Sequence, residues 1–172
     1  FCRDRSVFTA LAQTVLPGLA RRPAERTDRT LACWSAGCAS GEEPYALAIL
    51  WQLELQERFP EVRLAILATD VDEPEGTSCV GREAAFHAVP EGYQIRREYQ
   101  GMVQFRRHDL RTGPPDGPFD LVLCRNLAFT YFDEAVQRAV LASIAGRMAA
   151  HGALVIGIHE SSRLSLRDSD PG

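Results

Sequence analysis

The chain has 172 residues, of which 45% are hydrophobic and 24% charged, with a formal net charge of -4 at pH 7. That length and composition suit one globular domain with a core of its own. The acidic balance argues against general nucleic-acid binding, and no apolar run approaches the roughly 20 residues that a membrane-inserted helix needs.

The chain opens at "FCRDRSVF" with no secretory pattern, so a cytoplasmic protein is expected. Its first apolar positions, Val7, Phe8, Leu11, Val15, Leu16 and Leu19, follow helical spacing behind Asp4, a residue type suited to an N-cap. Pro17 is expected to kink or end that helix. After the polar connector "RRPAERTDRT", the short apolar run "LACWSAG" reads as a buried strand ending in small residues. Residues 42 to about 58 read as a helix with Pro44 in its first turn. Glu42 and Glu43 suit the positive end of its dipole.

"VRLAILATD" reads as a second buried strand. The stretch from Asp72 to Gly101 suggests a short helix and an irregular excursion. "MVQFRRHDL" and "FDLVLCRN" read as a third and a fourth strand. Asp133 then caps an amphipathic helix written "EAVQRAVLASIAGRMAA", and "HGALVIGIHE" supplies a fifth strand. Strands alternating with helices imply right-handed crossovers and a mostly parallel α/β sheet covered on both faces. Cys2, Cys33, Cys38, Cys79 and Cys124 form no Cys-x-x-Cys pair, and they read as reduced thiols rather than a metal or disulfide framework. His108, His151 and His159 match no ligand spacing, so structural roles and no metal are expected.

In open α/β sheets a ligand binds beyond the carboxyl ends of the strands. Polar and small residues gather at those ends here. The first strand is followed by Ser35, Ala36, Gly37, Cys38, Ala39, Ser40, Gly41 and the glutamates. Asp70 and Val71 end the second strand, Asp109 and Leu110 the third, Arg125 and Asn126 the fourth. An acid at Asp70 suits two ribose hydroxyls, or the cap of a following helix. Asp109 or Leu110 suits an adenine edge, or Asp109 simply caps a turn. Carboxylates at the mouth of the glycine loop would repel phosphate but attract an ammonium and a sulfonium. No Gly-x-x-x-x-Gly-Lys or Gly-x-Gly-x-x-Gly is present. S-adenosylmethionine meets those requirements.

Taken in order, "FCRD", "WSAGCASGEEPYALAI", "LATDVD", "VQFRRHDL", "FDLVLCRN", "YFD" and "HGALVIGIHES" resemble the chemotaxis receptor methyltransferases of the CheR type over nearly the whole chain. The run Gly41-Glu42-Glu43-Pro44-Tyr45 is the most specific part. The resemblance implies a Rossmann-like class I methyltransferase domain. Such a domain moves a methyl group from S-adenosylmethionine to receptor glutamates and leaves S-adenosylhomocysteine. It further implies that Arg3 lies beside the methyl donor, that Glu43 meets the donor's amino group, and that Asp70 binds the ribose. Asp109 stands where the family usually has an adenine-side asparagine. Ala36, Gly37, Glu42, Val71 and Leu110 join the cofactor set, Asn126 and Leu127 match the residues after the fourth strand, and Tyr131 shapes the acceptor side.

The departures are specific. "CRNLAFTYFD" holds four residues between Asn126 and Tyr131 where the family commonly has three. A single catalytic domain over 1–172 is expected. The family's helical docking domain is absent from it, and the β-subdomain is reduced around 87–100. The last one or two strands are absent or lie outside this sequence. A carboxylate acceptor needs alignment rather than a general base, with Arg3 pairing it and Tyr131 orienting it. A protein glutamate is the leading acceptor. The same fold acting on a small molecule or another protein, and a non-catalytic cofactor-binding partner domain, are the competing readings. The oligomeric state is left open.

Overall fold

The computed structural model describes residues 5–22, 27–72, 85–89, 92–125 and 133–157. Helix α1 (Arg5–Ala10) runs through a π-helical turn (Leu11–Val15) into α2 (Leu16–Ala20). In that wider turn the N–H of Leu16 reaches back to the carbonyl of Leu11. Pro17 follows at the start of α2, where its missing N–H is tolerated. The expected break at Pro17 is thus a one-residue widening of the helix just before it. The apolar stripe buries Phe8, Leu11, Leu16 and Leu19.

Strand β1 (Thr30–Ala36) leads to α3 (Glu42–Leu50), which continues through a second π-helical turn (Trp51–Leu55). Every residue of α3 from Pro44 to Leu50 is buried, the pattern of a helix enclosed on all sides. Strand β2 (Arg63–Asp70) follows. The excursion after it contains an antiparallel hairpin, β3 (Phe86–Val89) with β4 (Gly92–Ile95), and then the single turn α4 (Arg97–Gln100). Strands β5 (Val103–Arg107) and β6 (Phe119–Cys124) are joined by a loop with one 3-10 turn (Leu110–Thr112).

Helix α5 (Glu134–Ala145) begins as read from the sequence. Asp133 caps it by accepting the N–H of Val136 at 3.0 Å. Its end differs from the expectation. The helix stops at Gly146, and Met148 to Ala150 belong to β7 (Met148–Ile156). The apolar spacing of "RMAA" fits a helix equally well. What decides is pairing with β6: Phe119 donates to the carbonyl of Arg147 at 2.8 Å and stands opposite Met148. The register then shifts before Leu121 meets Ala153. Gly152 sits in that irregularity with the carbonyls of Phe119, Ala149 and Asp120 at 3.0–3.1 Å from where a Cβ would stand.

The main sheet is parallel throughout, in the order β5-β2-β1-β6-β7. One face packs Leu64, Ile66, Leu121 and Leu123 against Leu16, Leu47 and Trp51, and the other packs Trp34 and Val122 against Val140 and Ile144 of α5. The chain leaves β1 toward β2 and later returns to β6 on β1's other side. Adjacent β1 and β6 therefore send their connections in opposite directions, which opens a crevice beyond their carboxyl ends.

Candidate functional site

The loop from Gly37 to Gly41 is the first wall of that crevice. Gly37 (φ 73°), Ala39 (φ 45°) and Gly41 (φ 87°) all lie in the left-handed region, which lets the chain double back within five residues before α3 starts. The loop is tied to the end of β2. The N–H groups of Gly37 and Cys38 donate to the carbonyl of Thr69 at 2.7 and 3.0 Å, and the N–H of Ala39 donates to Asp70 Oδ2 at 2.8 Å.

Asp70 also accepts the N–H of Asp72 on Oδ1 at 3.2 Å. The helix that it would alternatively cap falls outside the described residues. The carboxylate fixes two backbone groups and keeps a lone-pair direction on each oxygen, since a carboxylate offers about four acceptor sites. A cleft of about 130 Å³ opens beside it, lined by Gly37, Thr69, Asp70 and Val71 on one side and by His108, Asp109, Leu110 and Arg111 on the other. Five residues read from the sequence as cofactor contacts thus face one cavity. Thr69 and Arg111 join them without having been singled out. Thr69 looked like one more residue of a buried strand; its hydroxyl is held by the indole N–H of Trp34 at 2.9 Å.

Asp109 has a local occupation. Arg111 forks onto it, with Nε at 2.9 and 3.0 Å from the two oxygens and Nη2 at 2.6 Å from Oδ2, and the N–H of Arg111 adds a further bond to Oδ1. These bonds hold its carboxyl down at about 2. The turn-cap reading of Asp109 is thus realised in the geometry, with both carboxylate oxygens held by Arg111. His108 is structural. Its Nε2 donates to the carbonyl of Gly113 at 2.6 Å, and its N–H donates to the carbonyl of Asp70 at 2.7 Å.

The two glutamates separate. Glu42 is exposed, whereas Glu43 turns inward between the ends of β1 and β6. Ser35 donates its hydroxyl to Glu43 Oε1 at 3.0 Å, and Arg125 donates Nη1 to Oε2 at 3.0 Å. Burial pushes the Glu43 carboxyl up to about 7, against the pull of the Ser35 hydrogen bond. Neither Ser35 nor Arg125 had been assigned a role. They lie 8 and 82 positions from Glu43, and only their occurrence at two strand ends hinted at a meeting.

Ala36 is buried as the last residue of β1. Arg3, Asn126, Leu127, Tyr131 and His159 lie outside the described residues. Cys33, Cys38 and Cys124 are buried thiols. Burial, aided by Asp70, pushes the Cys38 thiol up to about 12, so it stays neutral beside the loop. No cluster of His, Cys, Asp and Glu among the described residues has the makings of a metal site. No described helix is long and apolar enough to cross a membrane.

A parallel sheet in this order, a glycine turn at the first strand end and an inward glutamate at the next helix suit a nucleoside with a cationic tail. The aliphatic side chains of Val71 and Leu110 and the Asp70 carboxylate suit the nucleoside, and Glu43 suits the cation. This is the Rossmann-like class of S-adenosylmethionine-dependent methyltransferases. A solved S-adenosylmethionine-dependent methyltransferase from Clostridium acetobutylicum shares the fold, at a TM-score of 0.51 and 11% identity over 87% of this chain and 49% of that one.

The chain belongs to the CheR methyltransferase family: the model of its SAM-binding domain matches residues 1–75 and 80–169. A chemotaxis protein methyltransferase of Listeria monocytogenes is 34% identical over 91% of this chain. A probable biofilm formation methyltransferase of Pseudomonas aeruginosa is 31% identical over 99% of it. This chain spans 62% of the first relative's length and 43% of the second's.

Proposed function

We propose that the chain is the methyl-transferring part of a protein-glutamate O-methyltransferase, with S-adenosylmethionine as donor and a chemoreceptor-like protein as acceptor. The observation that carries the donor reading is the inward Glu43 carboxylate at the sheet's switch point, together with a cleft lined by Gly37 and Asp70 at the ends of β1 and β2. When bound, S-adenosylmethionine supplies an electrophilic methyl carbon on a cationic sulfur. Glu43 would hold the donor's ammonium group, Asp70 would accept from the ribose hydroxyls, and Val71 and Leu110 would offer apolar surface to the purine. The acceptor carboxylate is itself the nucleophile, so the chain's task is alignment and exclusion of water. Arg3 and Tyr131 are assigned to the acceptor side on the family resemblance alone.

The protein acceptor is supported by the names of the two relatives, one from chemotaxis and one from biofilm formation. The test is incubation with methyl-labelled S-adenosylmethionine and a chemoreceptor cytoplasmic fragment, followed by mass spectrometry. Base-labile label on glutamate is expected, because carboxyl methyl esters hydrolyse in alkali. Label appearing on a metabolite fraction instead would overturn the acceptor. No calorimetric binding of S-adenosylmethionine at millimolar concentration would overturn the donor as well.

A further inference from the structure

We propose that Arg125, just past β6, is a positioning residue that keeps the Glu43 carboxylate ionised and aimed at the donor's ammonium group. The proposal rests on the methyltransferase reading above and assigns it a residue that acts through another. Three elements converge here. Ser35 comes from β1, where it stands opposite Leu123 of β6; Arg125 lies two positions beyond Leu123; Glu43 comes down from the first turn of α3. Each carboxylate oxygen receives one donor at 3.0 Å, the Ser35 hydroxyl on one and Arg125 Nη1 on the other. The side chains of Arg125 and Glu43 are 9% and 19% exposed, so water screens the pair weakly. Two lone-pair directions remain on the carboxylate for an ammonium ligand.

Burial opposes the charge and raises the Glu43 carboxyl, against the Ser35 hydrogen bond. The Cys38 thiol in the loop is neutral, and the residue at the end of β2, Asp70, is an acid. Glu42, the neighbour on α3, is another acid. Ser35 contributes a dipole, and among the described residues the full positive charge in contact is that of Arg125. A carboxylate attracts an ammonium only when ionised, and a fixed guanidinium holds it both charged and in one rotamer.

The test uses S-adenosylhomocysteine as probe, with calorimetry from pH 6 to 9 on the wild type, Arg125→Met, Arg125→Lys, Glu43→Gln and the Glu43→Gln/Arg125→Met double variant. In parallel, the Glu43 carboxyl is titrated by carbon-13 NMR in the free protein. Loss of the guanidinium should raise the titration midpoint by about one pH unit or more, since a single charge at contact distance is worth at least that even in a watery setting. From a wild-type midpoint near 7, a one-unit rise makes the ionisation part of the Arg125→Met affinity deficit roughly five-fold at pH 7 and close to none by pH 9, where only the cost of the lost rotamer is left. Arg125→Lys should fall between, because it keeps charge without the planar fork. In the Glu43→Gln background, Arg125→Met should cost nothing further.

An unchanged midpoint in both Arg125 variants overturns the proposal. So does an affinity deficit that is constant with pH, or one that persists in the Glu43→Gln background, where Arg125 would be touching the probe itself. Should Arg125→Met fail to fold, the lysine variant carries the same comparison. Absence of wild-type binding would refute the donor reading, while the NMR titration would still decide whether Arg125 holds Glu43.

Discussion

Replacing Asp70 with alanine removes two things at once, and the structure allows them to be separated. The carboxylate accepts the N–H of Ala39 at 2.8 Å and that of Asp72 at 3.2 Å, so the variant loses anchors for the glycine loop and for the chain after β2. Each such bond is worth about 0.5–1.5 kcal/mol, and one kcal/mol moves the melting temperature of a domain this size by roughly 2–4 °C. The variant also forgoes the hydrogen bonds to the ribose, which are worth about 1–3 kcal/mol of binding, or roughly a 5- to 150-fold drop in affinity. Asp70→Asn keeps one carbonyl oxygen for the Ala39 N–H and should recover most of the thermal stability. It should not recover most of the binding, because the charge that strengthens the ribose hydrogen bonds is gone. Melting curves and calorimetry with S-adenosylhomocysteine on both variants provide the comparison. If Asp70→Ala melts earlier yet binds within two-fold of wild type, Asp70 only braces the loop and the ribose assignment is wrong.

Two other substitutions probe separate links. Arg111→Ala should let the Asp109 carboxyl return from about 2 toward its ordinary value of about 3.9. Because its folded-state value is depressed, the pair's stabilisation is present above about pH 4 and lost as pH falls toward 2. A carbon-13 titration midpoint that stays near 2 without the arginine would refute the fork. Asp133→Ala removes the cap on Val136 at the start of α5 and should cost about 0.5–2 kcal/mol in chemical denaturation. Donor affinity should be untouched; a large affinity loss would mean that α5 bears on the site in a way its position in the fold does not suggest.

Residues that could be read without the structure are those whose signal is local. β1, β2 and β6 stand out as short apolar runs because parallel strands buried on both faces carry few polar positions. Gly41 could be read as a turn residue and Glu42, Glu43 and Pro44 as a helix start, since a left-handed backbone and a helix dipole act over a few residues. Asp133 showed itself as a cap for the same reason. The tail "RMAA" did not declare itself: its spacing serves a helix and a strand alike, and pairing with Phe119 settled it. Nor did the β3–β4 hairpin stand out in a stretch without clear alternation.

Chain order placed the acids at strand ends, but it could not say which acid turns inward. Glu42 and Glu43 are neighbours in sequence and identical in chemistry. A helix sends successive side chains about 100° apart, so one meets water and the other meets Ser35 and Arg125. Likewise Asp109 was legible as a strand-end acid, while its commitment to Arg111 depended on the tight turn that brings the guanidinium back. The small and acidic residues at the strand ends were local properties of the sequence. The partners of Glu43 came from contacts 8 and 82 residues apart that only the folded sheet creates.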